Sequence, residues 1–366
     1  MSASRTEILA GLSLSLSGPF ERQGREAHDG VRLWVEHVEH AGGLRVAPHG
    51  PRRPLRLIAL DDASSAARAR DNVQRLLVEH QVDVLLGPYS SGLTLAVAPL
   101  AAAQGKLLWN HGGASDALVE RGWRHVVSVP APASAYFRDL PGLVKERDPR
   151  ARLASIVYRS SGTFADAVRH GTHEAAHAAG FQVIRATPFH APIQDARALL
   201  AEALTPAPDL LIGAGAFEDD VALARARAAL ATSGTVAFVA AGVDAFYDEV
   251  GAGAEGIVGP SQWEPAVYEH PAIGPASSWL CAEFLARFRY APGYIAAQAY
   301  ATGIIIAECI ARAATLEDDA LLGVALGLET STLYGGFRLD PESLRQIGHR
   351  ILLVQWHGGR RVLLRR

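Results

Sequence analysis

Two rhythms alternate along the chain: short apolar runs of strand length, and longer stretches with apolar residues three and four apart. Ile8–Leu16 is the first run, and SGPF (17–20) turns it into a helix over about 23–41. That helix sets Val31, Leu33, Trp34 and Val38 on one side, and Gly42-Gly43 stops it. A strand at 55–60, a helix at 65–79, a strand at 82–86, a helix from the Ser90-Ser91 pair, and strands at 106–109 and 125–129 follow. PAPA (130–133) reads as a crossover, after which the pattern restarts. Helices at 136–147, 160–180, 194–204 and 217–230 alternate with strands at 153–158, 181–187, 209–212 and 236–240. A short strand or crossover at 257–260, long helices at 275–288 and 294–314, and a β-like tail at 334–339, 350–356 and 361–364 complete the chain. Strand–helix alternation with continuously apolar strands predicts parallel sheets covered by helices, in two α/β halves of similar plan.

The most informative stretch is VDVLLGPYSSGLTLAVAPLAAAQGKLLWNHGGAS (82–115). A strand runs through a Gly-Pro turn into Ser90 and Ser91 at a helix start, and the next strand ends in a loop with Gly112, Gly113 and Ser115. Hydroxyls and unpaired N–H groups at a helix N-terminus form a seat for an anion such as a carboxylate. Adjacent parallel strands end at the same sheet edge, so the second loop can close that seat from the side. Trp109, Trp263 and Tyr294 are candidate apolar walls, with core packing the competing role. Asp61-Asp62 ends a strand at the same edge and reads as a helix cap or hinge.

Composition narrows the partners. At 366 residues two domains are expected. Lys+Arg 35 against Asp+Glu 38, a net charge of −3, argues against nucleic acid or an anionic membrane surface as the main partner. Cys281 and Cys309 lie in apolar helical runs and read as buried small hydrophobes, a disulfide being the minor alternative. No apolar run spans a bilayer and no signal peptide is visible at Met1. The compartment is therefore periplasmic or cell-surface if a leader has been removed, and cytoplasmic if Met1 is the native start. No P-loop occurs, and GAGAFE (213–218) lacks the third glycine of a dinucleotide fingerprint, so no cofactor is expected.

HEAAH (173–177) matches the zinc-peptidase signature H-E-x-x-H. Helix phase opposes that reading. At ~100° per residue, Phe164, Val168, Ala175 and Ala179 cluster as the buried face, which leaves His173 and His177 on the solvent side. No metal and no enzymatic activity are expected.

Three stretches together carry a resemblance: LSGPFERQGREAHDGVRLWVEHVEHAGGL, LIALDDASSAARARDNVQRLLVEHQVDVLLGPYSSGLTLAVAPLA and YGGFRLDPESLRQIGHRILLVQWHGG. In this order and spacing the chain resembles the type I periplasmic binding proteins, in particular the leucine/isoleucine/valine-binding family. The resemblance implies two Rossmann-like lobes, 1–131 with 261–334 and 132–260 with 335–366, joined by a three-crossover hinge. It implies a monomeric solute-binding protein of an ABC importer, closing over an amino acid or related small carboxylate in the inter-lobe cleft and presenting it to a permease. A cytoplasmic ligand sensor of the same fold is the alternative. By the same resemblance, Ser90 and Ser91 hold the ligand carboxylate, and Gly112, Gly113 and Ser115 grip the α-amino-acid end through backbone groups. Phe164 replaces a tyrosine stacked over the ligand, Phe217 is a further aromatic wall, and Gln23 replaces a first-loop tyrosine. The acidic residue that pairs a ligand ammonium aligns with Gly242. Asp244 or Glu218 substitutes for it, or the ligand lacks the amine.

Overall fold

The structure, a computed structural model, describes residues 6–47, 49–230 and 233–365. In chain order the elements are β1 (Ile8–Leu14), α1 (Glu21–His40), β2 (Leu44–Arg45), β3 (Arg52–Arg53), β4 (Leu55–Asp61), α2 (Ala66–Val78), β5 (Val84–Leu86), α3 (Ser91–Ala103), β6 (Leu108–Asn110), α4 (Ala117–Glu120) and β7 (Val126–Ser128). Then come α5 (Leu140–Arg147), β8 (Leu153–Arg159), α6 (Thr163–Ala178), β9 (Gln182–Phe189), α7 (Ala196–Ala203), β10 (Leu210–Ala214), α8 (Phe217–Arg227), β11 (Thr235–Phe238), α9 (Asp244–Val250) and β12 (Val258–Ser261). The chain ends with α10 (Ser277–Phe288), α11 (Tyr294–Ala313), α12 (Asp318–Gly327), β13 (Thr330–Thr332), β14 (Gly335–Phe337), β15 (Leu352–His357) and β16 (Arg360–Arg365).

Two compact units result: Met1–Ala131 with Trp263–Arg350, and Pro132–Gln262 with Ile351–Arg366. The first holds a parallel sheet in the order β4-β1-β5-β6-β7. Every residue of β1 is buried, as a central strand covered on both faces requires. On one face α1 and α11 pack closely because small residues let them: a Cβ on Gly30 would stand 2.5 Å from the Ala296 carbonyl, and one on Gly303 2.1 Å from the Trp34 ring. By length and apolarity α11 could cross a membrane, but 72% of that stretch is buried, as a core helix's would be.

The second unit holds a sheet in the order β16-β15-β12-β11-β10-β8-β9, parallel from β9 to β12 and extended antiparallel by β15 and β16. Its α6 lies against the turn Ala133–Ala135 through Gly171, where a Cβ would stand 2.0 Å from the Ser134 carbonyl. Val168 is buried as expected, but that approach replaces Phe164, Ala175 and Ala179 on the buried face of α6 by Ala165, Gly171, Thr172 and Ala176.

The unit boundaries differ from the expected ones. The chain leaves the second unit after Gln262 rather than Pro260, and returns to it at Ile351 rather than Gly335. Residues 335–350 stay in the first unit because β14 pairs with β13 and Tyr334 stacks on His349 with ring centroids 4.3 Å apart. Cys281 and Cys309 are free thiols, and burial pushes the Cys309 thiol up to about 12.

Gly171→Ala should destabilise the protein by about 1–3 kcal/mol through overpacking. Gly142→Ala, inside α5 with open space around it, should be neutral or stabilising by up to ~1 kcal/mol. Urea unfolding of the two variants checks the contrast.

Candidate functional site

In a parallel sheet, ligands meet the loops that leave the C-terminal strand ends. In the first unit two such loops, 87–90 after β5 and 111–116 after β6, are locked together. Buried Asn110 accepts from the Gly112 N–H (3.1 Å) and the Gly113 N–H (2.7 Å), and donates to the Gly113 carbonyl (2.7 Å) and Ser128 Oγ (2.8 Å). Ser91 Oγ accepts from the N–H groups of Ala114 (3.1 Å) and Ser115 (3.0 Å). The Ser90 N–H donates to the Gly112 carbonyl (3.3 Å). Gly112 is needed here because a Cβ would stand 2.7 Å from Tyr89 Cα.

These bonds bear on the expected ligand loop. The Gly112 and Gly113 N–H groups are spent on Asn110. Ser115 is 3% exposed and its Oγ accepts from the Ala117 N–H (3.3 Å), so it builds the loop. What remains is the start of α3. Ser90 caps it, accepting from the Leu93 N–H (3.3 Å), and Ser91 Oγ keeps its own hydrogen to donate. The main-chain N–H groups of Ser91 and Gly92 donate to no other described residue. Gly92 is exposed, and nothing lies within 4 Å of where its Cβ would be. Gly92, the glycine directly after the serine pair, leaves the backbone of that first turn open. Ser90 itself sits at φ +85°, a strained conformation for a residue with a Cβ.

Beside this helix start, Tyr89 bonds its hydroxyl to that of Tyr294 at 3.1 Å and meets Phe20 edge-on at 6.3 Å. Gln23 lies in the first turn of α1 with a solvent-shielded Oε1 that no described residue contacts as a donor. Nearby Glu26 caps α11 by accepting from the N–H groups of Gly293 (2.9 Å) and Ala296 (3.2 Å), and burial raises its pKa. His111 is wholly buried, and burial holds its pKa down at about 4, only partly opposed by the backbone of Gly87. Trp263 is a core residue rather than a wall: 3% exposed, its indole N–H donates to the Leu333 carbonyl at 2.8 Å. Trp109 is likewise core. Asp61 and Asp62 tie the β1 and β4 loops together through Ser17 (2.7 Å) and Ser15 (2.6 Å).

In the second unit the corresponding edge carries Arg159, Phe164 and Phe217. Phe164, in the first turn of α6, meets Tyr136 edge-on at 5.3 Å, and Tyr136 Oη accepts from Gln262 (3.1 Å). Phe217 opens α8 and packs half-buried on the core. Asp244 is already paired: Arg361 holds its carboxylate at 2.8 and 3.2 Å. Glu218 has no such partner among the described residues. Asp220 is fully buried, accepts from the Ala240 N–H (2.8 Å), and is pushed well above the carboxylate range first by burial and then by the charge of Asp219. His173 and His177 are exposed, and Glu174 pairs with His170 (3.3 Å). Among the described residues no group of three or more metal-ligating side chains gathers.

The family model described as "Periplasmic binding protein" matches residues 7–360. A Leu/Ile/Val-binding protein homolog of Brucella abortus is 24% identical over 229 residues, 60% of this chain; the match spans 54% of that relative's length, about half. Among solved structures, the leucine-binding protein LivK of Thermotoga maritima superposes with a TM-score of 0.80 at 16% identity, covering 97% of both chains. LivJ of Streptococcus pneumoniae in complex with isoleucine gives 0.80 at 17%, also covering 97% of both chains. A solute-binding protein of R. palustris in complex with benzoate gives 0.78 at 18%, covering 98% of this chain and 95% of that one. The fold is therefore the expected one.

Ser90→Gly should relieve strain and stabilise the ligand-free protein by about 1 kcal/mol, since glycine gives up only a few tenths as a cap. Ser90→Ala keeps the strain, loses the cap, and should cost ~1 kcal/mol; thermal unfolding distinguishes them. His111 has a folded pKa of about 4 against 6.5 unfolded. The unfolded chain therefore binds the proton first, and stability falls as pH drops from about 6.5 to 4, by on the order of 3 kcal/mol. Asp220, with its raised pKa, acts in the opposite sense, so the check is the difference in slope between wild type and His111→Phe.

Proposed function

Because the chain belongs to the periplasmic binding protein family, we propose that it is the solute-binding component of an ABC importer and that its ligand is a small carboxylate without an essential ammonium group. The observation that carries this reading is the start of α3. Its Ser91 and Gly92 N–H groups and two serine hydroxyls are the donors left over at an edge where Gly112, Gly113, Ala114 and Ser115 are all paired internally. A helix N-terminus with unspent donors favours an anion. The amine is set aside because Gly242 carries no charge and Asp244 is bound by Arg361. Burying an unpartnered ammonium would cost several kcal/mol. The second unit carries Phe164 and Phe217 at its own strand-end edge, the kind of surface an apolar ligand body needs. The relatives named for leucine, isoleucine and benzoate all handle a carboxylate on an apolar body, which fits this ligand class.

Thermal shift and calorimetry with benzoate, hexanoate and leucine test the reading. At least one carboxylate should bind, and ligand at 100 times its Kd adds about 2.7 kcal/mol of stability. Gly92→Ala places a methyl group at the helix start, toward which helical Cβ atoms tilt. It should leave the fold intact yet weaken that binding at least 10-fold. Binding that Gly92→Ala and Ser90→Ala leave untouched would remove the carboxylate from α3.

A further inference from the structure

HEAAH (173–177) lies on α6 with its polar side chains turned to solvent. Ala165, Val168, Gly171, Thr172 and Ala176 form the buried side of that helix, and His170, His173, Glu174 and His177 are all exposed. At ~100° per residue these four share an arc of about 100° on the side away from the core. Their pairings are unequal. Glu174 is drawn to His170, with 3.3 Å between Oε1 and Nε2. Neither His173 nor His177 makes a hydrogen bond or ion pair with a described residue. They stand one turn apart, where the Cβ atoms at i and i+4 are ~5–6 Å from one another and the side chains lie one above the other. Two imidazoles so placed can close on one cation, each with a ring nitrogen ~2.0–2.1 Å from it.

Two further features favour a cation there. His177 sits in the last turn of α6, the negative end of the helix dipole. The helix is also held in place, because Gly171 seats it against the Ser134 carbonyl, so the pair is pre-organised and little ordering is lost on binding. With Glu174 engaged by His170, the arrangement is that of a binding pair and not of a peptidase centre.

We propose that His173 and His177 form a surface chelate for one late first-row divalent cation, Cu²⁺ held more tightly than Ni²⁺ or Zn²⁺, with water in the remaining positions. Imidazole suits these metals, and the order is their general one for nitrogen ligands. The chelate lies wholly on one helix of the second unit and does not depend on what the strand-end edges bind.

The test is calorimetry with CuCl₂, ZnCl₂ and MgCl₂ on the tag-free full chain, stripped of metal, in a buffer that does not coordinate it. Wild type, His173→Gln, His177→Gln, the double variant and His170→Gln are compared. Wild type should bind one Cu²⁺ per chain at its tightest site, Zn²⁺ at least 10-fold more weakly, and no Mg²⁺. Each single substitution at 173 or 177 should weaken that Cu²⁺ site at least 10-fold, and the double variant little further, since one arm without the other is no chelate. His170→Gln should stay within about 3-fold. All these positions are exposed, so circular dichroism should show the fold intact. Copper binding that His173→Gln and His177→Gln leave unchanged belongs to other histidines and overturns the proposal. Losses that simply add in the double variant, or one ion shared between two chains, overturn it as well.

Discussion

The Ser91 hydroxyl is the joint on which the first unit's edge depends. By accepting the N–H groups of Ala114 and Ser115 it fastens the loop after β6 to the first turn of the helix after β5. Asn110 does the same from below with Gly112 and Gly113. Four consecutive backbone donors that look available in the sequence are consumed in building a rigid shelf. The shelf fixes α3 so that its own terminal N–H groups, which no intrahelical carbonyl can reach, face outward unspent. Rigidity and availability come from the same bonds. A looser loop would let its N–H groups swing toward a ligand, at the cost of ordering them on binding.

Polar burial recurs in both units, handled in two ways. At the end of β4, Asp62 is wholly buried and accepts from Ser13, Ser15 and the Ser64 N–H, donors that offset only part of the burial that raises its pKa. Asp220 and His111 are buried with fewer partners, and their pKa values move toward the neutral form, Asp220 upward and His111 downward. A neutral group costs far less to bury than a charge. Both stand at the candidate edges, Asp220 in the first turn of α8 and His111 in the loop after β6. Acid stability of each unit is thus tied to the residues that shape its edge.

Most of the fold was legible in the sequence because apolar runs and helical periodicity are local signals. The central strands, and the helices from 21 to 40 and 294 to 313, fall within a few residues of where the pattern puts them. What was not legible depends on tertiary contacts. The phase of α6 is set by Gly171 against Ser134, a contact no periodicity encodes. Residues 335–350 join the first unit because Tyr334 stacks on His349, a pairing within a loop. The same limit applies to the site. Serines at a helix start can be read directly, but whether Gly113 or Gly92 keeps a free N–H depends on where Asn110 turns. Asp244 looked available until Arg361, more than a hundred positions on, took it.

Those two outcomes, taken together, shape the recognition problem. The first unit offers neutral donors on a fixed helix terminus, which bind a carboxylate through dipoles and hydrogen bonds. Such a seat reads geometry more than net charge. The second unit's edge carries Arg159, whose companion Asp219 already caps α8, alongside two aromatic rings. A ligand ammonium finds no unpaired acid at the Gly242–Asp244 turn, where Arg361 holds Asp244. Discrimination in a site of this kind comes from what is left unpaired after binding. An unmatched buried polar group is a larger penalty than a missing apolar contact.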